Sequence, residues 1–225
     1  MAVKSLISEK LPNTLWVREG NVGYFPGFKL GADRLGNLAS YDFVAVCNVD
    51  LRVAPDFFSC LNRLLSTLGK QIGIVAPAIY SVGRGGDLNP KTLTRPNRFS
   101  LQKNVFIFSS TVLTRVYRWL SDFKVKKQVN ACPPGTEFYS PHGSFILFTK
   151  AYFQSGASID YPQFLFGEED FVAEQCLMHG LKVSYQPSIQ IHDEDHGSTS
   201  REKLAFINRE HVKSLRYIIK TYHSR

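Results

Sequence analysis

Phe43-Val44-Ala45-Val46-Cys47 runs directly into Asn48-Val49-Asp50. A short stretch with no polar residue to mark a solvated face predicts a strand covered by helices on both sides, as in a parallel sheet. A carboxylate placed just after such a strand leaves the sheet at its carboxyl end, where open α/β sheets bind ligands. From there Asp50 can reach a divalent metal on a nucleotide diphosphate. An Asp after a strand is also an ordinary turn or capping residue, so the tripeptide alone leaves both readings open.

The same apolar pattern recurs in Ile72-Gly73-Ile74-Val75-Ala76, inside a strand predicted over 72–79. Further strands are predicted over 15–18, 144–148 and 182–191 from their β-branched and aromatic content. Between the strands at 43 and 72, Asp56 can cap a helix whose apolar positions Phe57, Cys60, Leu61, Leu64, Leu65 and Leu68 follow the helical period, with Gly69 ending it. Together they make a β-α-β unit. A second helix is predicted over 169–179, with Val172, Ala173, Cys176 and Leu177 on one face and Gly180 after it, and a third over 201–222. Residues 80–141 read as a long irregular excursion rich in Gly and Pro, the kind of segment that is usually functional or mobile. Within it an amphipathic helix over 111–123 carries Arg115, Arg118, Trp119 and Phe123 and leads to Lys124, Lys126 and Lys127. Such a helix suits a membrane surface, or is an ordinary solvated one.

Composition narrows the function classes. With 225 residues, 44% hydrophobic and 20% charged, the chain is globular rather than disordered. Cys47, Cys60, Cys132 and Cys176 are scattered, without metal-ligand spacing, and read as reduced, mostly buried thiols. The opening residues lack the apolar core of a signal peptide, and the apolar run at 105–113 falls short of the ~20 residues a membrane span needs. A cytoplasmic protein is expected, with peripheral contact to the inner face of the membrane as one reading of the 111–123 helix. The net charge of +8 fits an anionic partner. Acids concentrated at 168–170 and 193–195 count against nucleic acid.

Those acids form two further constellations. Gly167-Glu168-Glu169-Asp170 opens the 169–179 helix. Acids in a first turn are favoured by the helix dipole whatever the function, yet neighbouring charges also raise one carboxyl's pKa and prepare it as a general base. His192-Asp193-Glu194-Asp195-His196 follows the last strand and is either an oxygen and nitrogen metal site or a polar surface loop.

Taken in order, Gly20 to Gly27, Phe43 to Asp50, Gly73 to Pro77, His142-Gly143-Ser144-Phe145, Phe166 to Asp170, Gly180 to Pro187 and His192 to Thr199 resemble a family 2 glycosyltransferase of the rhamnosyltransferase-like kind. The resemblance implies an α/β, GT-A-like fold with a mainly parallel sheet flanked by helices, spanning 1–200, and a C-terminal helix over 201–225 packed on it. It implies inverting, metal-dependent transfer of a sugar from a nucleotide-sugar donor to a glycan or lipid-linked acceptor in bacterial surface polysaccharide synthesis. Asp50 then falls on a metal-binding acid for Mg or Mn, with His192 as a later metal contact and His196 in contention. Glu169 falls on the catalytic base, with Glu168 as the competing assignment. Asn48, Gly143, Ser144 and Asp170 fall on segments that bind donor or acceptor.

The strands that normally begin such a fold and hold the donor's base and ribose have no counterpart here, so the fold is expected to be N-terminally incomplete. Its edge would be covered by residues 1–11, by a second copy or by a complementing chain. The alternative function is a non-catalytic or truncated subunit of the same fold that needs a partner chain. A glycoside hydrolase built on Glu168 and Glu169 is disfavoured, because adjacent carboxylates at a helix start do not face each other across a sugar.

Overall fold

β1 (Phe43–Cys47), β2 (Leu51–Val53), β3 (Ile72–Ser81), β4 (Gly86–Asp87), β5 (Glu137–Phe138), β6 (Phe145–Thr149) and β7 (Lys182–Asp193) form one seven-stranded sheet. The computed structural model describes residues 14, 15, 17, 20–81, 86–122, 132–193 and 203–224. The main path of the sheet is β1-β6-β3-β7-β2, with β4 attached to β3 and β5 to β7. Helices α1 (Tyr24–Leu35), α2 (Phe57–Leu65), α3 (Arg98–Phe108), α4 (Thr111–Asp122), α5 (Lys150–Gln154), α6 (Glu168–Met178) and α7 (Leu204–Tyr222) flank it. The α/β expectation holds.

The expectation of a mainly parallel sheet does not. Among the described pairings only β3 with β7 is parallel, and β6 lies antiparallel between β1 and β3. The physical reason is the excursion after β3. It leaves the sheet at the carboxyl end of β3 and returns there, so the strand it delivers must run backwards. The predicted β-α-β unit therefore bridges over β6 instead of joining adjacent strands. The apolar run of β1 is also not covered on both sides. β1 is the outer strand of the path, Val44 and Val46 are buried, and Ala45 and Cys47 are exposed. Leu15 and Val17, placed in a strand by the sequence, are in none, and Trp16 and Arg18 lie outside the described residues. All four cysteines are free, Cys60 and Cys176 buried and Cys47 exposed.

Strand alternation builds a core on each face of the sheet. Val44, Val46, Ile74, Ala76, Ile146, Phe148, Val183 and Tyr185 point one way, onto Phe25 of α1, Tyr152 of α5, Phe171, Val172 and Cys176 of α6, and Ile218 of α7. Val75, Ile79, Phe145, Leu147, Ile189 and Ile191 point the other way, onto Phe57, Cys60, Leu61 and Leu64 of α2. α2 shows the predicted apolar stripe and begins after Asp56, although the Asp56 side chain makes no capping bond.

The excursion is more ordered than its Gly and Pro content suggests. α4 matches the helix predicted there, whereas α3 was not predicted, because Phe99, Leu101, Val105, Phe106, Ile107 and Phe108 are spread around its circumference. Its start is nevertheless marked: the Asn97 side chain accepts from Ser100 N at 2.8 Å. α7 packs against α3, α4 and α6. Glu174 of α6, with a side chain only 3% exposed, fastens the excursion to this layer. It accepts from Arg95 Nε at 2.7 Å, Arg95 Nη2 at 2.9 Å and the Tyr139 hydroxyl at 2.8 Å. Arg95 Nη2 also donates to the Tyr222 carbonyl at 2.9 Å.

Replacing Arg95 by Met strands a buried carboxylate, so Arg95→Met is expected to lower stability by about 2–4 kcal/mol. A urea titration should show this as an earlier midpoint with an unchanged slope.

Candidate active site

Strand direction collects the candidate residues. β1, β3 and β7 run the same way, so Asn48 to Asp50 after β1 and His192 at the end of β7 share one end of the sheet. β6 runs oppositely, and the His142-Gly143-Ser144 segment that enters it lies at that same end. α6 reaches β7 through a short turn, so its first residues, Glu168, Glu169 and Asp170, return there too.

The turn that presents these acids is tightly constrained. Phe166 (φ 68°) and Gly167 (φ 79°) both adopt left-handed backbone, which a non-glycine residue rarely does. The turn is locked from behind: the Tyr161 hydroxyl donates to the Phe166 carbonyl at 2.7 Å and lies 2.9 Å from Ser214 Oγ of α7. A methyl group on Gly167 would sit 1.9 Å from Ser214 Oγ and 2.6 Å from the Tyr161 oxygen. The Phe166 ring stacks on His211 at 3.7 Å between centroids, and His211 stacks on Phe108 at 5.0 Å. Burial between these rings lowers the His211 pKa to about 4, with the Lys91 and Arg118 charges acting the same way against Glu169.

Gly143 passes so close to the acids that a Cβ there would lie 2.7 Å from Glu169 Oε1 and 3.0 Å from Glu168 Oε1. Its carbonyl accepts from the Tyr24 hydroxyl at 2.9 Å, and the next carbonyl, Ser144, accepts from Asn48 N at 2.9 Å. Asn48, Gly143, Ser144, Glu168 and Glu169 are thereby joined. Lys91 closes the group from the excursion by donating to Glu169 Oε1. Asn89, two residues earlier, accepts from His142 N at 2.8 Å and donates to the Pro77 carbonyl at 2.9 Å, so Lys91 is anchored through β3. Lys91, Tyr24 and Asn89 went unrecognised in the sequence. Tyr24 carried a weak signal, standing directly after the glycine of a Gly-Asn-Val-Gly turn. Lys91 carried none, since nothing in the linear order pairs it with Glu169.

The three acids occupy different electrostatic states. Burial, and then the neighbouring Glu169 charge, push Glu168 up to about 8. Burial acts upward on Glu169 as well. The Lys91 charge and hydrogen bond, helped by backbone donors and His142, overcome it and hold Glu169 below the usual carboxylate range. Asp170 is raised to about 6 by burial and by Glu169, with Lys91 opposing. Near neutral pH Glu169 is ionised and Glu168 keeps its proton, so the raised pKa expected of a general base falls on Glu168 and not on Glu169, because Lys91 bonds to Glu169.

Asp50, just before β2, and His192 of β7 also lie at this end. β2 pairs with β7 in the register Leu51↔Asp193 and Arg52↔His192, which sets Asp50 beside the end of β7. Among the described residues no set of three or more His, Cys, Asp or Glu side chains could hold a metal ion. The donor types nonetheless suit Mg or Mn, which commonly take one or two protein carboxylates and complete their shell with substrate phosphates and water. His196, the alternative to His192, lies outside the described residues.

No protein-family model and no curated protein sequence matches the chain. Among solved structures it is similar to a crystal structure of GalNAc-T7 with UDP, GalNAc and Mn2+, at a TM-score of 0.56 and 12% identity over 96% of this chain. The fold is that of a GT-A glycosyltransferase. This chain spans 38% of the length of that GalNAc-T7 chain. In the GT-A sheet, the acids of α6 and the Asp50 segment occupy the carboxyl end of the strands.

Gly143→Ala is expected to displace the flexible ends of Glu168 and Glu169 and to weaken ligand binding at this candidate site, with little change in melting temperature. Gly167→Ala meets the fixed Ser214 and Tyr161 and should destabilise the fold by roughly 3 kcal/mol. Parallel melting and ligand-binding measurements on the two variants separate these outcomes. The pH dependence follows from the same charges. Between 4.5 and about 8 the unfolded chain has released the Glu168 proton that the folded chain retains, so this residue makes stability fall as pH rises. His211 acts in the opposite sense, but only between about 4 and 6.5. Stability is therefore expected to drop between pH 6.5 and 8 by on the order of 1–2 kcal/mol, and Glu168→Gln should flatten that drop.

Proposed function

We propose that the chain transfers a glycosyl group from a nucleotide-sugar donor to an acceptor hydroxyl, with Glu169 as general base. The observation that carries this reading is the buried Glu168–Glu169 pair, split by Lys91 into one charged and one neutral carboxyl, against the Gly143 backbone at the ligand-binding end of a GT-A sheet. Glu169 is ionised and accepts the acceptor hydroxyl proton. The acceptor oxygen forms its bond to the anomeric carbon from the face opposite the leaving group, the bond to the diphosphate oxygen breaks, and the nucleoside diphosphate departs with that electron pair. The result is inversion.

Glu168, protonated, donates a hydrogen bond to a sugar hydroxyl or to the acceptor. Gly143 and Ser144 line the donor sugar, and the missing side chain of Gly143 makes room for the Glu168 and Glu169 carboxylates beside its backbone. Asn48 and Asp170 border the same space. A divalent cation held by Asp50 and His192 would neutralise charge on the diphosphate. The bound UDP and Mn2+ of GalNAc-T7 support that chemistry by likeness of fold. The family 2 resemblance supports a glycan or lipid-linked acceptor of the kind built into bacterial surface polysaccharide.

A second reading has one observation in its favour. β1 ends the sheet with one side unpaired among the described strands, which fits a glycosyltransferase-fold subunit completed by a further strand from a partner chain.

Titration calorimetry with UDP and other nucleoside diphosphates, with and without Mn2+, tests the first reading. Metal-dependent binding is expected, weakened by Asp50→Ala and retained by Glu169→Gln. Turnover in Glu169→Gln should fall roughly 10²–10⁴-fold. A folded chain that binds no nucleotide with metal, and gains binding only when a partner chain is added, would establish the second reading instead.

A further inference from the structure

The apolar side of α4 faces outward. On a helical projection, Val112, Leu113, Val116, Tyr117, Trp119 and Leu120 fall within an arc of about 160°. All are exposed, Val112 by 64%, Val116 by 48% and Leu120 by 51%. Thr114, across the helix, is the buried position and accepts from Asn208 Nδ2 of α7 at 2.7 Å. A surface helix of a globular protein normally does the reverse and turns its apolar stripe inward. The neighbouring α3 adds exposed Phe99 and Phe106.

Charge completes the pattern. Residues 88–121 contain no Asp or Glu, while Lys91, Arg95, Arg98, Lys103, Arg115 and Arg118 all fall among them. Lys91 and Arg95 face inward to Glu169 and Glu174. α3 has no acid, and the single acid of α4, Asp122, is its last residue. An open cleft of about 690 Å³ between α3 and α7 groups Arg98, Arg216 and Lys220 around Val105, Phe106 and Ile219.

The geometry points to a docking surface for an anionic lipid bilayer, with the α4 arc seated at the boundary between headgroups and acyl chains and the cations of α3, α4 and α7 meeting lipid phosphates. An apolar helix face bordered by Arg115 and carrying Tyr and Trp is the composition of interfacial helices. No helix among the described residues is long and apolar enough to cross a membrane, so this contact lies along the surface. A second copy of the chain is the poorer occupant, because it would set like charges against each other. The inference stands independently of the transfer reaction proposed above.

Sedimentation of the purified chain with phosphatidylcholine vesicles, with and without phosphatidylglycerol, provides the test. Binding is expected only when phosphatidylglycerol is present and should weaken as salt rises. Val116→Ser with Leu120→Ser should reduce partitioning by about tenfold or more. Lys103→Glu with Arg115→Glu should remove most of the preference for anionic vesicles, at roughly fivefold or more per residue. Both pairs sit on exposed positions, so circular dichroism melts should match the parent. Equal binding to neutral vesicles, no binding at low salt, or parent-like binding by both variants overturns the assignment. Self-association in light scattering that disappears in the serine variant, without vesicle binding, would give the face to a second copy and equally overturn it.

Discussion

Two neighbouring carboxyl groups held behind one glycine backbone cannot both stay charged without a cation, and the Lys91 ammonium decides which of them does. Its bond to Glu169 leaves Glu168 with the full consequence of burial, so one acid is driven down and the other up. The surroundings serve this arrangement. Gly143 has no side chain to push the acids apart, the left-handed Phe166–Gly167 turn aims them, and Tyr161 and Ser214 keep that turn from relaxing.

The excursion between β3 and β6 is what makes the site possible. It leaves and re-enters at the carboxyl end of the sheet, reversing β6, supplying Lys91 and bringing His142 to Ser144 beside the acids. The Arg95–Glu174 clamp holds the same segment to α6 and α7, which ties the position of Lys91 to the packing of the C-terminal helix. His211 extends that link, since it belongs to α7 and stacks on the residue that begins the left-handed turn before α6.

Much of this was readable along the chain. The helix at 168, the acids in its first turn, the glycine at 143 and the acid after β1 are local features, written in residue type and spacing. Their convergence was inferred from strand ends. The structure joins Asn48, Gly143, Ser144, Glu168 and Glu169 by direct contacts, and places Asp50 and His192 at the same end of the sheet by the β2–β7 register. Lys91 and Asn89 could not be read, because a lysine in a Pro-rich stretch has no periodicity and its partner lies far away in the chain. The direction of β6 and the exposed face of β1, with Ala45 and Cys47, were misread for a related reason. An apolar run shows that a strand can be buried on both sides, but what packs against it depends on segments elsewhere.

The sequence by itself determined the elements, the two alternating faces of each strand and the chemical types at the strand ends, since backbone preference and side-chain period act over a few residues. Only the tertiary structure decided which carboxyl is charged, which strand lies outermost and which way α4 turns its apolar side. Those outcomes rest on burial and on charges brought together from distant positions, and neither is written in the order of neighbouring residues.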